Sequence, residues 1–192
     1  MNLVKRIVDH KIEVTKEAVS NVAKRTTANI KYRNKAIASY RVKQQGSSTS
    51  YQFEFLNKSG ERAFWIRHGL GHRFSCTLWA RDALPIGRIV QHRILSSDLD
   101  VEIGDEIIGN ISWRRGNMVI QIPRWSIEHT LGSYILMYDS VPMCYFYYPG
   151  ISSGRIDLLA AGHTHMSLLI CSAIITNTVA EWASEKAALG GG

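Results

Sequence analysis

The segment from Met166 to Val179 constrains the fold more than any other part of the chain. On a helix it is apolar nearly all round, with only small or uncharged polar interruptions. A membrane-spanning helix needs about 20 predominantly apolar residues, so this segment is too short and too polar to cross a bilayer. A helix that is apolar on every face must instead be enclosed by other elements. The sequence therefore predicts a buried C-terminal helix over about residues 166–186.

Short runs of alternating apolar residues precede this helix and recur about every ten residues, with turn signals between them. Tyr51, Phe53 and Phe55 share one strand face, for example, and residues 57–60 then turn the chain. A hairpin is predicted over about 28–43, with its turn at 33–35. Including the two strands of this hairpin, about eleven strands are predicted. Repeated strand–turn–glycine–strand units favour a meander that closes into a barrel. No βαβ alternation is visible, which disfavours a parallel α/β fold.

The positive charge of the chain is concentrated at one end. Residues 1–46 carry eleven Lys or Arg and three Asp or Glu, a net charge of +8. Residues 47–192 carry twelve and thirteen, a net charge of −1. Such asymmetry indicates a segment that meets an anionic partner, either nucleic acid or a membrane surface. A lysine-rich helix face that is simply solvated is the plain alternative.

Residues 1–27 are predicted to form a basic amphipathic helix, because Val4, Val8 and Ile12 begin an apolar stripe with three- or four-residue spacing. Its many β-branched residues make it weak in isolation, so it needs a partner surface. The barrel domain is then expected to cover 28–192. The candidate anion- or lipid-binding residues are cations of this arm and of the turn after Trp113: Lys5, Lys11, Lys24, Arg25, Lys31, Arg33, Lys35, Arg114 and Arg115.

Two histidines, His163 and His165, follow a glycine just before the C-terminal helix. The pattern resembles the Gly-His-x-His motif of calcineurin-like metallophosphoesterases, and on a strand both side chains would reach one metal ion. The family's other motifs fail here, since position 100 is Asp and position 111 is Ile where His is needed. These two residues remain the metal candidates, but the alternative is an exposed lead-in to the helix. No nucleophile elbow or phosphate-binding loop is present, so neither enzymatic activity nor a cofactor is expected.

The three cysteines, Cys76, Cys144 and Cys171, are odd in number and far apart. Their spacing suggests neither a disulfide framework nor a zinc motif, and small buried thiols are expected. The first 25 residues alternate charged and apolar groups, unlike a secretory signal peptide. These features predict an intracellular, cytoplasmic protein that is peripheral to a membrane if its basic segment binds lipid.

Three features of residues 28–186 resemble the tubby-like C-terminal domain superfamily of phospholipid scramblases and LURP-one-related proteins. Strand–turn–glycine–strand hairpins occupy 51–122, the aromatic strand CYFYYPG follows, and an all-round apolar helix ends the domain. The resemblance implies a mainly β fold, with a closed antiparallel barrel of about 11–12 strands around a buried C-terminal helix. It also implies a non-enzymatic, scramblase-like or scaffold domain that engages anionic phospholipid or phosphoinositide at a membrane surface.

A small viral capsid protein has some of the same parts: a basic N-terminal arm, a Gly/Ser-containing hinge such as 44–50 and an all-β body. In that alternative the arm neutralises genomic RNA and the β body forms the shell. A jelly roll has no obvious use for the apolar C-terminal helix, which favours the lipid-binding hypothesis.

Overall fold

The computed structural model describes residues 20, 27, 31–45, 52–69, 75–82, 84–92, 98–114, 117–130, 132–150 and 153–189. Twelve strands and a long C-terminal helix make up most of these residues. The strands are β1 (Ala38–Gln45), β2 (Gln52–Leu56), β3 (Arg62–Gly69), β4 (Ser75–Ala80), β5 (Pro85–Gln91), β6 (Leu99–Ile103), β7 (Glu106–Arg114), β8 (Asn117–Gln121), β9 (Trp125–Thr130), β10 (Ser133–Tyr138), β11 (Val141–Gly150) and β12 (Ser153–Leu158). The helix α1 spans Thr164–Leu189.

All twelve strands belong to one antiparallel sheet that follows the order of the chain. Strands β1 to β8 pair successively, and so do β9 to β12. The pairing of β1 with β12 joins these two halves, with residues 38–43 opposite 153–158. The two edge strands, β8 and β9, also contact each other, so the sheet is a nearly closed barrel. A mainly β antiparallel barrel with a C-terminal helix is thereby confirmed.

The core comes from alternate residues along the strands, because successive side chains of a strand point to opposite faces. Phe53 and Phe55 of β2 and Phe146 of β11 are among its largest apolar side chains and are almost completely buried. Most other strands bury an aliphatic residue in the same way. These residues are Val42, Ile66, Leu78, Ile89, Val101, Ile111, Leu136 and Ile156.

The first half of α1 is buried on all its faces, since every residue from 167 to 176 is buried. This part of the fold includes the polar residues Ser167, Ser172 and Thr176. The Ser172 hydroxyl donates to the Leu168 carbonyl at 2.7 Å, which satisfies it within the helix. The helix contacts β4, β5, β11 and β12. Within the described ranges, no helix combines the length and apolar character that crossing a membrane requires.

Tight turns shift several strand boundaries from those predicted. Residues 100–113 belong to the predicted strand series, and the chain reverses within them at Gly104 and Asp105, between β6 and β7. Gly104 has φ +62°, a left-handed conformation that glycine adopts at little cost. The strands β9 and β12 have no predicted counterpart, because each contains only two large apolar side chains, too few for a clear alternation.

The hairpin predicted over 28–43 is wrong, because residues 31–33 are helical and the sheet begins only at β1. The Ile37 amide donates to the Leu158 carbonyl at 2.8 Å, so the chain enters the sheet beside β12. The predicted helix over 1–27 lies outside the described residues except for Ser20 and Thr27, which are both helical.

Gly87 of β5 lies where α1 packs directly on the barrel wall. A Cβ atom there would lie 2.7 Å from Leu169 Cδ1 and 2.7 Å from the Glu102 carbonyl oxygen. We expect Gly87→Ala to lower the free energy of unfolding by about 1–3 kcal/mol in a urea titration, although alanine is otherwise preferred to glycine within a strand.

Gly162→Ala is the matched control, because no atom lies within 4 Å of its added Cβ. Its free energy of unfolding should stay within about 0.5 kcal/mol of the wild type. A Gly87→Ala variant as stable as the wild type would contradict the close approach of α1 to β5.

Candidate functional site

A groove on the outer surface of the barrel carries three cationic side chains. It lies between β12, β1 and the turn that joins β2 to β3, and its volume is about 250 Å³. Its lining residues are Ser39, Tyr40, Arg41, Leu56, Asn57, Lys58, Gly60 and Arg155. We call it the basic groove, because its lining contains two arginines and a lysine but no carboxylate.

The pairing of the first and last strands places the two arginines side by side. Arg41 of β1 lies directly opposite Arg155 of β12. Val42 and Ile156, their neighbours in sequence, are buried in the core. Because strand side chains alternate between faces, both arginines project to the outer surface. Residues directly opposite in an antiparallel pair have Cβ atoms about 5 Å apart, so two like charges face each other here.

The third cation, Lys58, is exposed on the tight turn between β2 and β3. The Asn57 side chain orders this turn: its Oδ1 accepts hydrogen bonds from the Glu61 amide at 2.9 Å and the Ser59 hydroxyl at 2.7 Å. Gly60 donates its amide to the Asn57 carbonyl at 3.0 Å and has φ +82°. Asn57 and Gly60 therefore fix the loop that holds Lys58 beside the arginines.

Of the three cations in the groove, only Arg155 is paired with a buried carboxylate. Asp157 is fully buried, and its Oδ2 accepts a 2.8 Å hydrogen bond from Arg155 Nε. Its other oxygen, Oδ1, has no hydrogen-bond partner. Among the described residues, neither Arg41 nor Lys58 forms an ion pair. An anion bound in the groove would relieve the repulsion between Arg41 and Arg155 and pair with Lys58.

Of the nine basic residues predicted from the sequence, none of those that the structure describes lines this groove. Lys5, Lys11, Lys24, Arg25 and Arg115 lie outside the described residues, as does the side chain of Arg114 at the end of β7. The three others, Lys31, Arg33 and Lys35, are exposed just before β1.

These three cations nevertheless lie on the same outer surface as the groove. Tyr32 stacks on Tyr145 of β11, with ring centroids 5.4 Å apart, and Lys31 Nζ lies 5.1 Å from the Tyr32 ring. Tyr145 is opposite Asp157, which is opposite Ser39 of the groove. Two strand spacings, about 10 Å, therefore separate Tyr145 from Ser39. Lys31–Lys35 extend the positive surface beside the groove.

His163 and His165 lie at the start of α1 and not on a strand, so the geometry expected for a shared metal ion is absent. The His163 ring centroid is 4.0 Å from that of Tyr138 and 5.7 Å from that of Trp125. The His165 ring instead lies 6.4 Å from Phe64 of β3. In the described part of the chain, no three His, Cys, Asp or Glu side chains are grouped to hold a metal ion.

A second charged cluster borders these histidines. Arg124 forms an ion pair with Asp139 and lies 4.4 Å above the Tyr138 ring. The hydrogen bond from Arg124 holds the pKa of Asp139 below its ordinary value, and the charge of His163 adds to this effect. Arg124, Asp139 and Ser140 all have positive φ. The ion pair joins the turn that contains Arg124 to the turn that contains Asp139 and Ser140. The charges of Arg124 and Asp139 therefore neutralise each other.

No protein-family model, curated protein or solved structure matches the chain. The function must therefore be inferred from the site.

The two arginines should have opposite effects on stability when their charge is removed. Arg41→Gln relieves the repulsion across the strands and should leave the free energy of unfolding unchanged or raise it by about 0.5 kcal/mol. Arg155→Gln leaves the buried Asp157 charge without its partner and should lower the free energy of unfolding by about 1–3 kcal/mol. Chemical denaturation of both variants checks this contrast, and equal destabilisation would contradict it.

Proposed function

We propose that this chain is a non-enzymatic domain that binds anionic phospholipid headgroups at a membrane surface, through the basic groove. The observation that carries this proposal is the convergence of Arg41, Lys58 and Arg155 without a carboxylate in the lining. Arginine forks bind phosphate oxygens in a bidentate manner, and a lysine adds a mobile point charge. A phosphorylated headgroup, including that of a phosphoinositide, matches both features.

The size of the groove also favours a small anion. A volume of about 250 Å³ accommodates a headgroup, whereas an extended nucleic acid needs a longer basic track. The cations at 31–35 lie on the same outer surface and would strengthen attraction to a negatively charged membrane, at about 1 kcal/mol for each Lys or Arg near it.

We further infer that α1 fills the interior of the barrel, as the resemblance to tubby-like domains implies. The complete burial of residues 167–176 supports this arrangement, and so do the contacts of α1 with strands on both sides of the β1–β12 pairing. A barrel filled in this way has no room for a lipid inside it. The outer surface then has to provide the binding site.

Removing positive charge from the groove should weaken binding to anionic vesicles. We expect Arg41→Gln and Lys58→Gln each to reduce the affinity for vesicles containing phosphatidylserine and a phosphoinositide about fivefold. Sedimentation at several salt concentrations measures this affinity, and the double variant should show a smaller dependence on salt.

Arg67→Gln is the matched control for these variants. Arg67 is exposed on the outer face of β3, opposite Gln52 and Thr77 and away from the groove, and its substitution removes the same charge. Its affinity should change less than twofold. If all three variants bind equally well, or equally poorly, the groove is not the lipid site.

The cations before β1 should contribute to vesicle binding without forming the groove. Changing Lys31, Arg33 and Lys35 together to Gln should weaken vesicle binding about tenfold or more at low salt, and much less at high salt. The same preparations, assayed for co-purifying RNA and uniform particles, test the capsid alternative. Retained RNA, lost on the triple substitution, would contradict the lipid proposal.

A further inference from the structure

Two of the three cysteines lie in contact where α1 packs against β11. Cys144 is on β11 and Cys171 is on α1, and both are fully buried. Their Sγ atoms are 3.9 Å apart, within reach of a weak S–H···S hydrogen bond. The two residues are 27 positions apart in the sequence, so only the packing of the helix against the barrel wall brings the thiols together.

The surroundings hold both sulfur atoms in place. Cys144 lies opposite Leu136 of β10 and Leu158 of β12, so its strand is paired on both sides. Cys171 lies in the middle of the buried stretch 167–176. Dense packing on all sides keeps the two thiols facing each other. A disulfide needs the sulfur atoms about 2 Å apart, and small rotations of the two side chains close the remaining gap.

Two thiols alone suit oxidation better than metal binding. A structural zinc site needs four ligands. In the part of the chain that the structure describes, no three His, Cys, Asp or Glu side chains are grouped to hold a metal ion. A disulfide needs only the two sulfur atoms, and it leaves no charge or strongly polar group buried among apolar side chains.

Cys76 provides a comparison within the same protein. It is also almost completely buried, and burial raises its pKa to about 12. Its side chain is hydrogen-bonded to Thr176 of α1, five residues beyond Cys171, which is about 7.5 Å along a helix. Four strands, β3, β2, β1 and β12, separate β4 from β11. Cys76 is therefore a buried thiol that lies away from the other two.

We propose that Cys144 and Cys171 form an oxidisable pair, which hydrogen peroxide converts into a disulfide that joins α1 to the barrel wall. One thiol, as its thiolate, attacks a peroxide oxygen, breaks the O–O bond and becomes a sulfenic acid, while the other oxygen leaves as water. The second thiol attacks the sulfenic sulfur, which forms the S–S bond and releases a second water. The two thiols together lose two electrons and two protons. This proposal is independent of the proposed function.

Burial makes this reaction slow. Burial and, to a smaller extent, contact with Cys144 raise the pKa of the Cys171 thiol well above its ordinary value. The thiolate is the reactive form, so oxidation should become faster as the pH rises. Hydrogen peroxide is small and uncharged, and a local opening of the structure is sufficient for it to reach the pair.

Mass spectrometry of the full chain tests whether this disulfide forms. The reduced protein is treated with hydrogen peroxide and unfolded, and its free thiols are then alkylated. Trypsin cleaves after Arg155, between Cys144 and Cys171, so only a disulfide joins the two fragments. We expect the joined fragments, with Cys76 alkylated. Alkylation of all three cysteines, sulfinic acids without a disulfide, or a disulfide that contains Cys76 would each overturn the proposal.

The stability of the oxidised protein tests the geometry of the pair. A disulfide between residues 27 positions apart removes loop-closure entropy from the unfolded chain, so oxidation should lower the equilibrium constant of unfolding about a hundredfold or more. Urea titrations with and without dithiothreitol measure this change.

Two alanine variants, each compared with its own reduced form, assign the change to the pair. Cys76→Ala is the matched control and should keep the gain in stability on oxidation, whereas Cys171→Ala should lose it. Because each variant is its own reference, a general loss of stability from the substitution does not affect the comparison. A Cys171→Ala variant that gains as much as the wild type, or a wild type that gains nothing, would contradict the proposed disulfide.

Discussion

The pairing of β1 with β12 is the interaction on which both the barrel and its basic groove depend. It joins the two hydrogen-bonded halves of the sheet, and without it β1–β8 and β9–β12 would be separate sheets, with β1 and β12 at exposed edges. The same register places Arg41 opposite Arg155. The groove therefore exists only when the chain has closed, and ligand binding there would stabilise the folded state by mass action.

The like charges of the proposed binding groove oppose the stability of the barrel. Directly opposed arginines destabilise the β1–β12 pair on which closure depends. Asp157 offsets part of this effect, because it is buried beneath the outer surface and paired with Arg155. Its second oxygen has no hydrogen-bond partner, so the compensation is incomplete. An uncharged residue at position 41 would make the β1–β12 pairing more stable. Ligand binding therefore explains the opposed arginines better than folding does.

Local patterns in the sequence were sufficient for the fold class and insufficient for the site. The alternating aromatic residues around Phe53 predicted a strand, because a strand with one buried face is apolar at every second residue. The apolar run after Met166 predicted a helix, because a helix that is enclosed on every side is apolar all round. The strand β12 was missed because its apolar alternation is short, with only Ile156 and Leu158 as large apolar side chains. Arg41 and Lys58 were missed because their proximity depends on strand register, which single-sequence patterns do not define.

The charge distribution of the sequence directs attention to the N-terminal segment, to which Arg41 belongs, yet the other two cations of the groove, Lys58 and Arg155, belong to the body of the chain. A net charge near zero over 47–192 conceals these two, because the body also contains acids such as Asp105 and Glu106. Electrostatic attraction to a membrane falls off over a Debye length, about 8–10 Å. The local arrangement of charges therefore matters more than the net charge of a long segment. Tyr145, on which Tyr32 of the N-terminal segment stacks, lies two strand spacings, about 10 Å, from Ser39 of the groove. Under the lipid-binding proposal, the cations at 31–35 would strengthen attraction over a wide area, while the groove would define which surface of the barrel faces the lipid.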